Sequence, residues 1–168
     1  EREIFPLLHR RHVFAEARDF LLYDCFTPQG QVNEDVFAYS NRAGEERALV
    51  LVHNRYATTA GWIRNSAAYA VKTGAGDAKE LRQRSLAEGL GLTDAADRYC
   101  LFREQRSGLE FIRPSADLHA RGLYVELAAY ACQVFIDIGE VASDASHPWA
   151  ELERELAGRG VPSLVEAL

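Results

Sequence analysis

The sequence predicts a mainly β fold, an antiparallel Greek-key β-sandwich of about seven or eight strands, on two observations. Short runs rich in Val, Ile, Leu, Phe and Tyr recur along the chain, and turn residues separate them. Helical patterns do not alternate with these runs, as they would in an α/β fold. The 168 residues, 48% hydrophobic and 26% charged, are enough for one packed domain.

The first region, residues 1–17, has the pattern of a helix. Ile4, Leu7 and Leu8 form an apolar stripe at helical spacing, and Pro6 is tolerated because it falls near the first turn. This stripe has to pack on something, since several exposed apolar side chains favour association. We therefore expect the helix to contact a partner or to mediate self-association.

The second region, residues 18–142, carries the predicted strands. The first three are 20–23, 36–40 and 48–52, and the last two of these form a hairpin around the turn at 41–44. A fourth strand is predicted within 62–71, a second hairpin from 98–103 and 109–113, and a strand pair in 123–138 with a bend near Ala128 and Ala129.

An insertion is expected near residues 74–97, where Asp77 could cap a helix over 78–90. The third region, residues 143–168, contains a closing amphipathic helix at 148–156 and a tail. The apolar pattern predicts a sandwich core with Val50 and Val52 on the opposite face of their strand. The predicted core residues are Phe37, Tyr39, Leu49, Leu51, Phe111, Leu127, Val134 and Ile136.

Composition excludes several function classes. A formal net charge of -6, from 19 Lys+Arg against 25 Asp+Glu, disfavours a nucleic acid partner, because phosphate binding needs a basic surface. No apolar run reaches the roughly 20 residues of a membrane-spanning helix, so no membrane partner is expected. Cys25, Cys100 and Cys132 lie in apolar runs without a C-x-x-C pair. We expect all three to be buried thiols in a reducing, cytoplasmic environment.

Candidate metal and phosphate motifs are weak. His9, His12 and Glu16 share one face of the first helix, but neighbouring arginines oppose a cation. Gly74 and Gly76 precede a predicted helix without the third glycine of a dinucleotide fingerprint. Polar helix residues and a flexible loop are the favoured interpretations, and no cofactor or metal is expected.

Catalytic motifs are equally weak. The chain has no Gly-x-Ser-x-Gly nucleophile elbow. The carboxylates of Glu34 and Asp35 are adjacent and would point to opposite faces of a strand. Asp137 and Glu140 flank Gly139, a predicted turn position, so solvated loop residues are the favoured interpretation. We predict that this chain contains no catalytic residue.

Two aromatic residues are candidates for carbohydrate binding. Tyr56 and Trp62 flank the loop that follows the third strand, and a flat aromatic ring can stack on a sugar. Aromatic residues in strands are more often part of the core, so both roles stay open.

The order of motifs in the first region and the first strands resembles a known family. Leu7-Leu8-His9-Arg10-Arg11-His12-Val13-Phe14 is followed by Asp19-Phe20-Leu21-Leu22-Tyr23, by Val36-Phe37-Ala38-Tyr39-Ser40-Asn41 and by Leu49-Val50-Leu51-Val52-His53-Asn54. This order is similar to the end of α-amylase-family glycoside hydrolases (family 13), where the last helix of the catalytic (β/α)8 barrel leads into a β-sandwich called domain C. Residues 122–138 loosely resemble the closing strands of that domain.

The resemblance implies a non-catalytic C-terminal domain of an enzyme that hydrolyses α-glucans or α-glucosides. Its partner would be the catalytic barrel upstream in the same polypeptide, with α-glucan as a further contact. The family's catalytic carboxylates lie in the barrel, so none is assigned to a residue here. The alternatives are a free-standing carbohydrate-binding β-sandwich and a protein-interaction β-sandwich.

Overall fold

The computed structural model describes residues 9–74 and 79–168. Within these ranges the chain forms a short 3-10 helix (Arg11–Phe14), ten strands and four α-helices. The strands are β1 (Leu21–Phe26), β2 (Val36–Ala43), β3 (Glu46–His53), β4 (Thr59–Ser66), β5 (Tyr69–Lys72), β6 (Lys79–Arg82), β7 (Arg98–Glu104), β8 (Glu110–Pro114), β9 (Leu123–Leu127) and β10 (Cys132–Ala142). The α-helices are α1 (Leu86–Leu90), α2 (Ser115–Arg121), α3 (Trp149–Leu156) and α4 (Leu164–Ala167).

Eight strands form one antiparallel sheet in the order β8-β7-β10-β3-β2-β1-β4-β9, and this sheet curls into a half-barrel. β5 and β6 pair with each other as a separate two-stranded hairpin. The prediction of a mainly β fold is confirmed. The division of the strands into the two packed sheets of a Greek-key sandwich stays a prediction.

The central hairpin of the sheet follows directly from its sequence. β2 and β3 pair without interruption from Val36 opposite His53 to Ala43 opposite Glu46. Gly44 closes the turn with a φ of 61°, a conformation that glycine adopts without a steric penalty. β3 is apolar along most of its length because both of its faces are covered, as predicted for a central strand.

The concave face of the half-barrel holds the main hydrophobic core. Leu49 and Leu51 of β3 are buried there, together with side chains from strands on both sides. Helices α1 and α2 close the concavity, and α1 begins at a capping box in which Ser85 and Glu88 bond to each other's backbone N–H. The core therefore lies between the curled sheet and two short helices.

The convex face is only partly covered. Val13 of the 3-10 helix is buried against Val50, Val134 and Ile136, which project from the opposite side of the central strands. Farther along the chain, α3 packs on the outer part of the sheet through Trp149 and its neighbours. The closing helix predicted at 148–156 is confirmed as α3.

Several predictions about individual elements need correction. Leu90 ends the helix predicted over 78–90, but only five residues are helical, and Lys79–Arg82 is a strand. Residues 115–121 form a helix that the sequence interpretation missed. The described part of the first region contains a 3-10 helix at Arg11–Phe14, while Ile4, Pro6, Leu7, Leu8 and Asp77 lie outside the described residues.

The predicted core was correct for β3 and wrong for two β2 residues. Phe37 and Tyr39 lie on the convex face, and the side chain of Phe37 is 53% exposed. Val36 and Ala38 occupy the core instead, because alternate residues of a strand point to opposite faces. Val134 and Ile136 are buried, but on the convex side with Val50. Cys25 and Cys100 are buried as predicted, whereas Cys132 is exposed.

Candidate functional site

Three loops meet at one end of the half-barrel. They are residues 27–35 between β1 and β2, residues 54–58 between β3 and β4, and residues 128–131 between β9 and β10. They meet because β1 and β3 end, and β2 and β4 begin, at the same edge of an antiparallel sheet. The first two loops line an open cleft of about 610 Å³. A second opening of about 470 Å³ shares Thr58 and Thr59 with it and extends to Glu126 and Ala128.

Backbone hydrogen bonds hold the three loops in fixed relative positions. The N–H of Asn54 donates to the carbonyl of Asp35 at 2.8 Å, and the N–H of Tyr130 donates to the carbonyl of Arg55 at 3.1 Å. Each bond joins two different loops. The rim of the cleft is thus built from segments that constrain one another.

Buried His53, the last residue of β3, holds the loop between β9 and β10 in place. The residue is 1% exposed, and its Nδ1 lies 2.9 Å from the carbonyl oxygen of Ala128. Since a carbonyl can only accept, Nδ1 carries the proton and donates it. The backbone N–H of His53 also donates to Ala131 at 2.9 Å, so one buried histidine holds the β9–β10 turn against the end of β3.

Two tyrosine rings are exposed on this rim. The side chains of Tyr56 and Tyr130 are 84% and 64% exposed, and their ring centroids are 6.1 Å apart with planes inclined at 39°. Tyr130 has a φ of 51°, in the left-handed region that non-glycine residues seldom adopt. Such backbone strain persists only where the surrounding structure imposes it, and it is concentrated at functional sites.

Polar groups line the cleft. The guanidinium of Arg55 lies 2.8 Å from Oδ2 of Asp35, and both side chains reach solvent. Deeper in the cleft, the amide of Asn33 donates to Oγ1 of Thr59 at 2.8 Å and accepts from the N–H of Asp35 at 3.0 Å. The cleft therefore offers both hydrogen-bond donors and acceptors.

Trp62 belongs to a different surface. It lies on the convex side of β4, since its neighbours Gly61 and Ile63 are buried. Its ring contacts Tyr124 of β9 edge-on at 5.2 Å, and the guanidinium of Arg121 lies 5.7 Å from its centroid. In the structure the aromatic partner of Tyr56 is therefore Tyr130, and not Trp62, which is nearer in the sequence.

The weaker histidine and glycine motifs have structural explanations within the described residues. His12 contacts Glu46 of β3 at 3.0 Å, and no group of three or more metal-ligating side chains is found in residues 9–74 and 79–168. Gly74 is described, Gly76 lies outside the described residues, and Lys79 begins a strand instead of the first turn of a helix. The phosphate-loop arrangement is therefore not present at Lys79.

The candidate carboxylates near Gly139 have structural partners. Asp137 lies 2.6 Å from Arg10 and 3.7 Å from Arg103. Glu140 accepts hydrogen bonds from the N–H of Thr93 and from Oγ of Ser115. Burial opposes ionisation of Glu140, but these hydrogen bonds outweigh it and hold its pKa below the ordinary value. With a lowered pKa, Glu140 stays ionised and can hold two segments together through its hydrogen bonds. A general acid would instead need a raised pKa, because it has to carry a proton.

The sequence interpretation found Tyr56 but missed Tyr130. Tyr130 follows Ala128 and Ala129, where a bend was correctly predicted, and it was counted as part of the apolar strand run. The position of Tyr130 directly after a predicted bend could have indicated an exposed ring, since bends lie at the surface.

Comparison with known proteins gives no relative from which a function could be transferred. No protein-family model matches the sequence, and no curated protein is significantly similar to it. In the described part of the chain, none of the helices has the length and apolar character required to cross a membrane.

Proposed function

We propose that this chain is a non-catalytic C-terminal β domain of a glycoside hydrolase that acts on α-glucans or α-glucosides, and that it stabilises the catalytic barrel. The resemblance of its first strands to domain C of the α-amylase family suggests this role. The strand order β4-β1-β2-β3 supports it, because a Greek key has the fourth strand beside the first.

One observation carries the docking part of the proposal. The convex face has an apolar strip formed by the exposed side chains of Phe20, Leu22 and Phe37 around the half-buried Tyr39, in which Leu22 is 51% and Phe37 is 53% exposed. Leu22 pairs directly with Tyr39, whose ring lies 5.7 Å from that of Phe20, so the strip is continuous. Contiguous exposed apolar side chains mark interaction surfaces.

The position of the first region favours the barrel as the occupant of this strip. The ring of Phe14, next to the buried Val13, meets Tyr39 edge-on at 5.9 Å. The segment that the resemblance assigns to the end of the barrel thus lies beside the apolar strip. A barrel that continues from this segment would be positioned next to the strip.

We place the protein in the cytoplasm. Cys25, Cys100 and Cys132 are all free thiols, and Cys132 is exposed. Three unpaired cysteines favour a reducing compartment.

A free-standing carbohydrate-binding module is the second candidate. The exposed Tyr56–Tyr130 pair favours it, since an exposed aromatic surface suits a sugar. The DNA that encodes the residues upstream of Glu1 distinguishes the two candidates. A reading frame for a (β/α)8 barrel supports the domain, whereas an initiation codon directly before Glu1 supports the module.

Substitution of the apolar strip tests the docking. The test uses the polypeptide that includes the barrel. The double variant Leu22→Thr with Phe37→Thr should lose its α-glucan hydrolysing activity at a lower temperature than the wild type. Leu81→Thr is the matched control, because Leu81 is 73% exposed on β6, away from the strip. Because threonine is well suited to β-strands, the free energy of unfolding of the isolated chain should change by less than about 1 kcal/mol.

Two outcomes would contradict the proposed function. The first is cooperative unfolding of the isolated chain by the double substitution, which would place the strip in the domain's own core. The second is hydrolysis of an α-glucoside by the purified chain itself, lost on substitution of one of its carboxylates.

A further inference from the structure

We infer that Arg42 and Arg47 form a binding site for a phosphate group at the end of the half-barrel opposite the three loops. The site lies where β2 ends and β3 begins, so it shares no residue with the cleft or with the apolar strip. The inference does not depend on the proposed function.

The register of the central hairpin places two like charges side by side. Arg42 of β2 is directly opposite Arg47 of β3, and directly opposite residues of an antiparallel pair project from the same face of the sheet. That face is the concave one, because Arg47, Leu49 and Leu51 are alternate residues of one strand. Like charges in this arrangement repel each other, so the fold bears a cost that a bound anion would remove.

Both guanidinium groups contain a buried donor without an acceptor. Among the described residues, the buried side-chain nitrogen and oxygen atoms that lack a hydrogen-bond partner are Nε of Arg42 and Nε of Arg47. An unsatisfied buried donor is costly, and such groups are commonly satisfied by a bound ion or water. The two atoms belong to directly opposite residues, so a single bound group between them can accept from both.

The nearest carboxylates do not neutralise the pair. Nη2 of Arg42 lies 3.3 Å from Oδ1 of Asp19, whereas Nη2 of Arg47 lies 3.9 Å from Oε2 of Glu45, whose side chain is 99% exposed. An ion pair with so exposed a carboxylate contributes little. The charge of Arg47 therefore lacks an effective counterion within the part of the chain that the structure describes.

Glu140 is close to Arg47 but is engaged elsewhere. Burial raises the pKa of the Cys100 thiol to about 12, and the charges of Arg47 and Glu140 act on that thiol in opposite directions, so both lie near it. The carboxylate of Glu140 accepts hydrogen bonds from Thr93 and Ser115 and forms no ion pair with Arg47.

A phosphate group has the charge and the acceptors that this pair lacks. It carries about −1.5 to −2 charges at neutral pH and three acceptor oxygens, whereas a carboxylate carries a single charge. Arginine binds phosphate through two parallel N–H···O bonds, so two guanidinium groups can hold one phosphate between them. A water molecule would satisfy the two Nε–H groups but would leave the repulsion between the charges.

The pair is accessible and partly fixed in position. The side chains of Arg42 and Arg47 are 29% and 15% exposed, so an anion can approach them from solvent. Nη1 of Arg42 fills the space beside Gly91, the residue that ends α1, where a larger residue would clash with it. A guanidinium that is already in place loses less conformational entropy when it binds an anion.

Titration of the intact chain with inorganic phosphate at constant ionic strength tests the site, with the arginine Nε–Hε signals followed by NMR. We expect saturable shifts for Arg42 and Arg47 and little change for Arg82, an exposed arginine that pairs with Glu80. Arg47→Gln should weaken phosphate binding by about tenfold or more, because it removes one guanidinium. Arg82→Gln is the matched control, and its affinity should stay within twofold of the wild type.

A second variant and thermal unfolding separate binding from a structural role. Arg47→Lys keeps the charge but not the paired donors, so it should bind phosphate more weakly than the wild type and more tightly than Arg47→Gln. Phosphate should raise the melting temperature of the wild type more than that of Arg47→Gln, because a ligand stabilises the folded state in proportion to its affinity.

Four results would overturn the inference. They are the absence of saturable Nε–Hε shifts, equal shifts of Arg82 and of the two site arginines, an unchanged phosphate response in Arg47→Gln, and a long-lived water at the two Nε–H groups that phosphate does not displace. Acetate that binds as tightly as phosphate would overturn the assignment of a phosphate group and indicate a carboxylate instead.

Discussion

The concave and convex faces of the half-barrel are built from the same strands but are covered very differently. On β3, Leu51 is fully buried under a core closed by α1 and α2. Its neighbour Val50 is buried on the other side by little more than the 3-10 helix and adjacent side chains. Two strands away on that convex side, Leu22 is half exposed. The concave face supplies the stability of the domain, and the convex face retains apolar surface for a partner.

The largest effect should come from the concave face. Leu51→Ala removes a fully buried side chain and leaves a cavity, so the free energy of unfolding should fall by about 2–5 kcal/mol. Denaturant titration of the purified chain measures this. A loss below about 0.5 kcal/mol would show that the two faces do not differ in the way described.

An intermediate effect should come from the cover of the convex face. Val13 is 2% exposed, and Val13→Ala should reduce the free energy of unfolding by about 1–2 kcal/mol, because a smaller side chain leaves Val50 and Ile136 less well packed. Val165→Ala is a control of the same chemistry, since Val165 is 75% exposed. Equal stability of the two variants would mean that the first region does not belong to the folded domain.

The smallest effect should depend on pH. Glu104 is a buried carboxylate at the end of β7 and accepts from the N–H groups of Arg106 and Ser107 at 3.0 and 2.6 Å. Burial alone would raise the pKa of Glu104, but the hydrogen bonds outweigh it and lower that pKa below the ordinary value. The ionised group should stabilise the fold by on the order of 1 kcal/mol at neutral pH.

The sign of this dependence follows from the lowered pKa. The stabilisation by Glu104 is present above the pKa of an unfolded glutamate and is lost as the pH falls through the lower pKa of the folded state. The difference in unfolding free energy between the wild type and Glu104→Gln should therefore shrink as the pH falls below about 4.3, the ordinary pKa of a glutamate. A constant difference as the pH falls would contradict the role of the charge.

Local patterns were enough to locate most strands. The β2–β3 hairpin was predicted because apolar residues flank a short turn that ends in Gly44, and the structure confirms it. The bend between β9 and β10 was predicted because 16 consecutive residues exceed an ordinary strand, and the turn lies at residues 128–131. The helix over 78–90 was predicted too long, since a capping box at Ser85 starts it much later.

The candidate site could be predicted only in part. Tyr56 stands out in the sequence because it lies in a loop between two strands. Tyr130 could not be assigned to it, since only the pairing of β9 with β4 and of β10 with β3 brings the two loops together. Trp62 lies closer to Tyr56 in the chain, but it projects from the convex face of β4 and contacts Tyr124.

The sequence by itself determined the class of fold and the positions of its main strands, because alternation, turn residues and apolar runs act over a few neighbouring residues. The tertiary structure decided which face of each strand is sealed, as Phe37 shows on the convex side. It also decided that Tyr56 meets Tyr130, since contacts between distant loops depend on strand order and register, which no local pattern encodes.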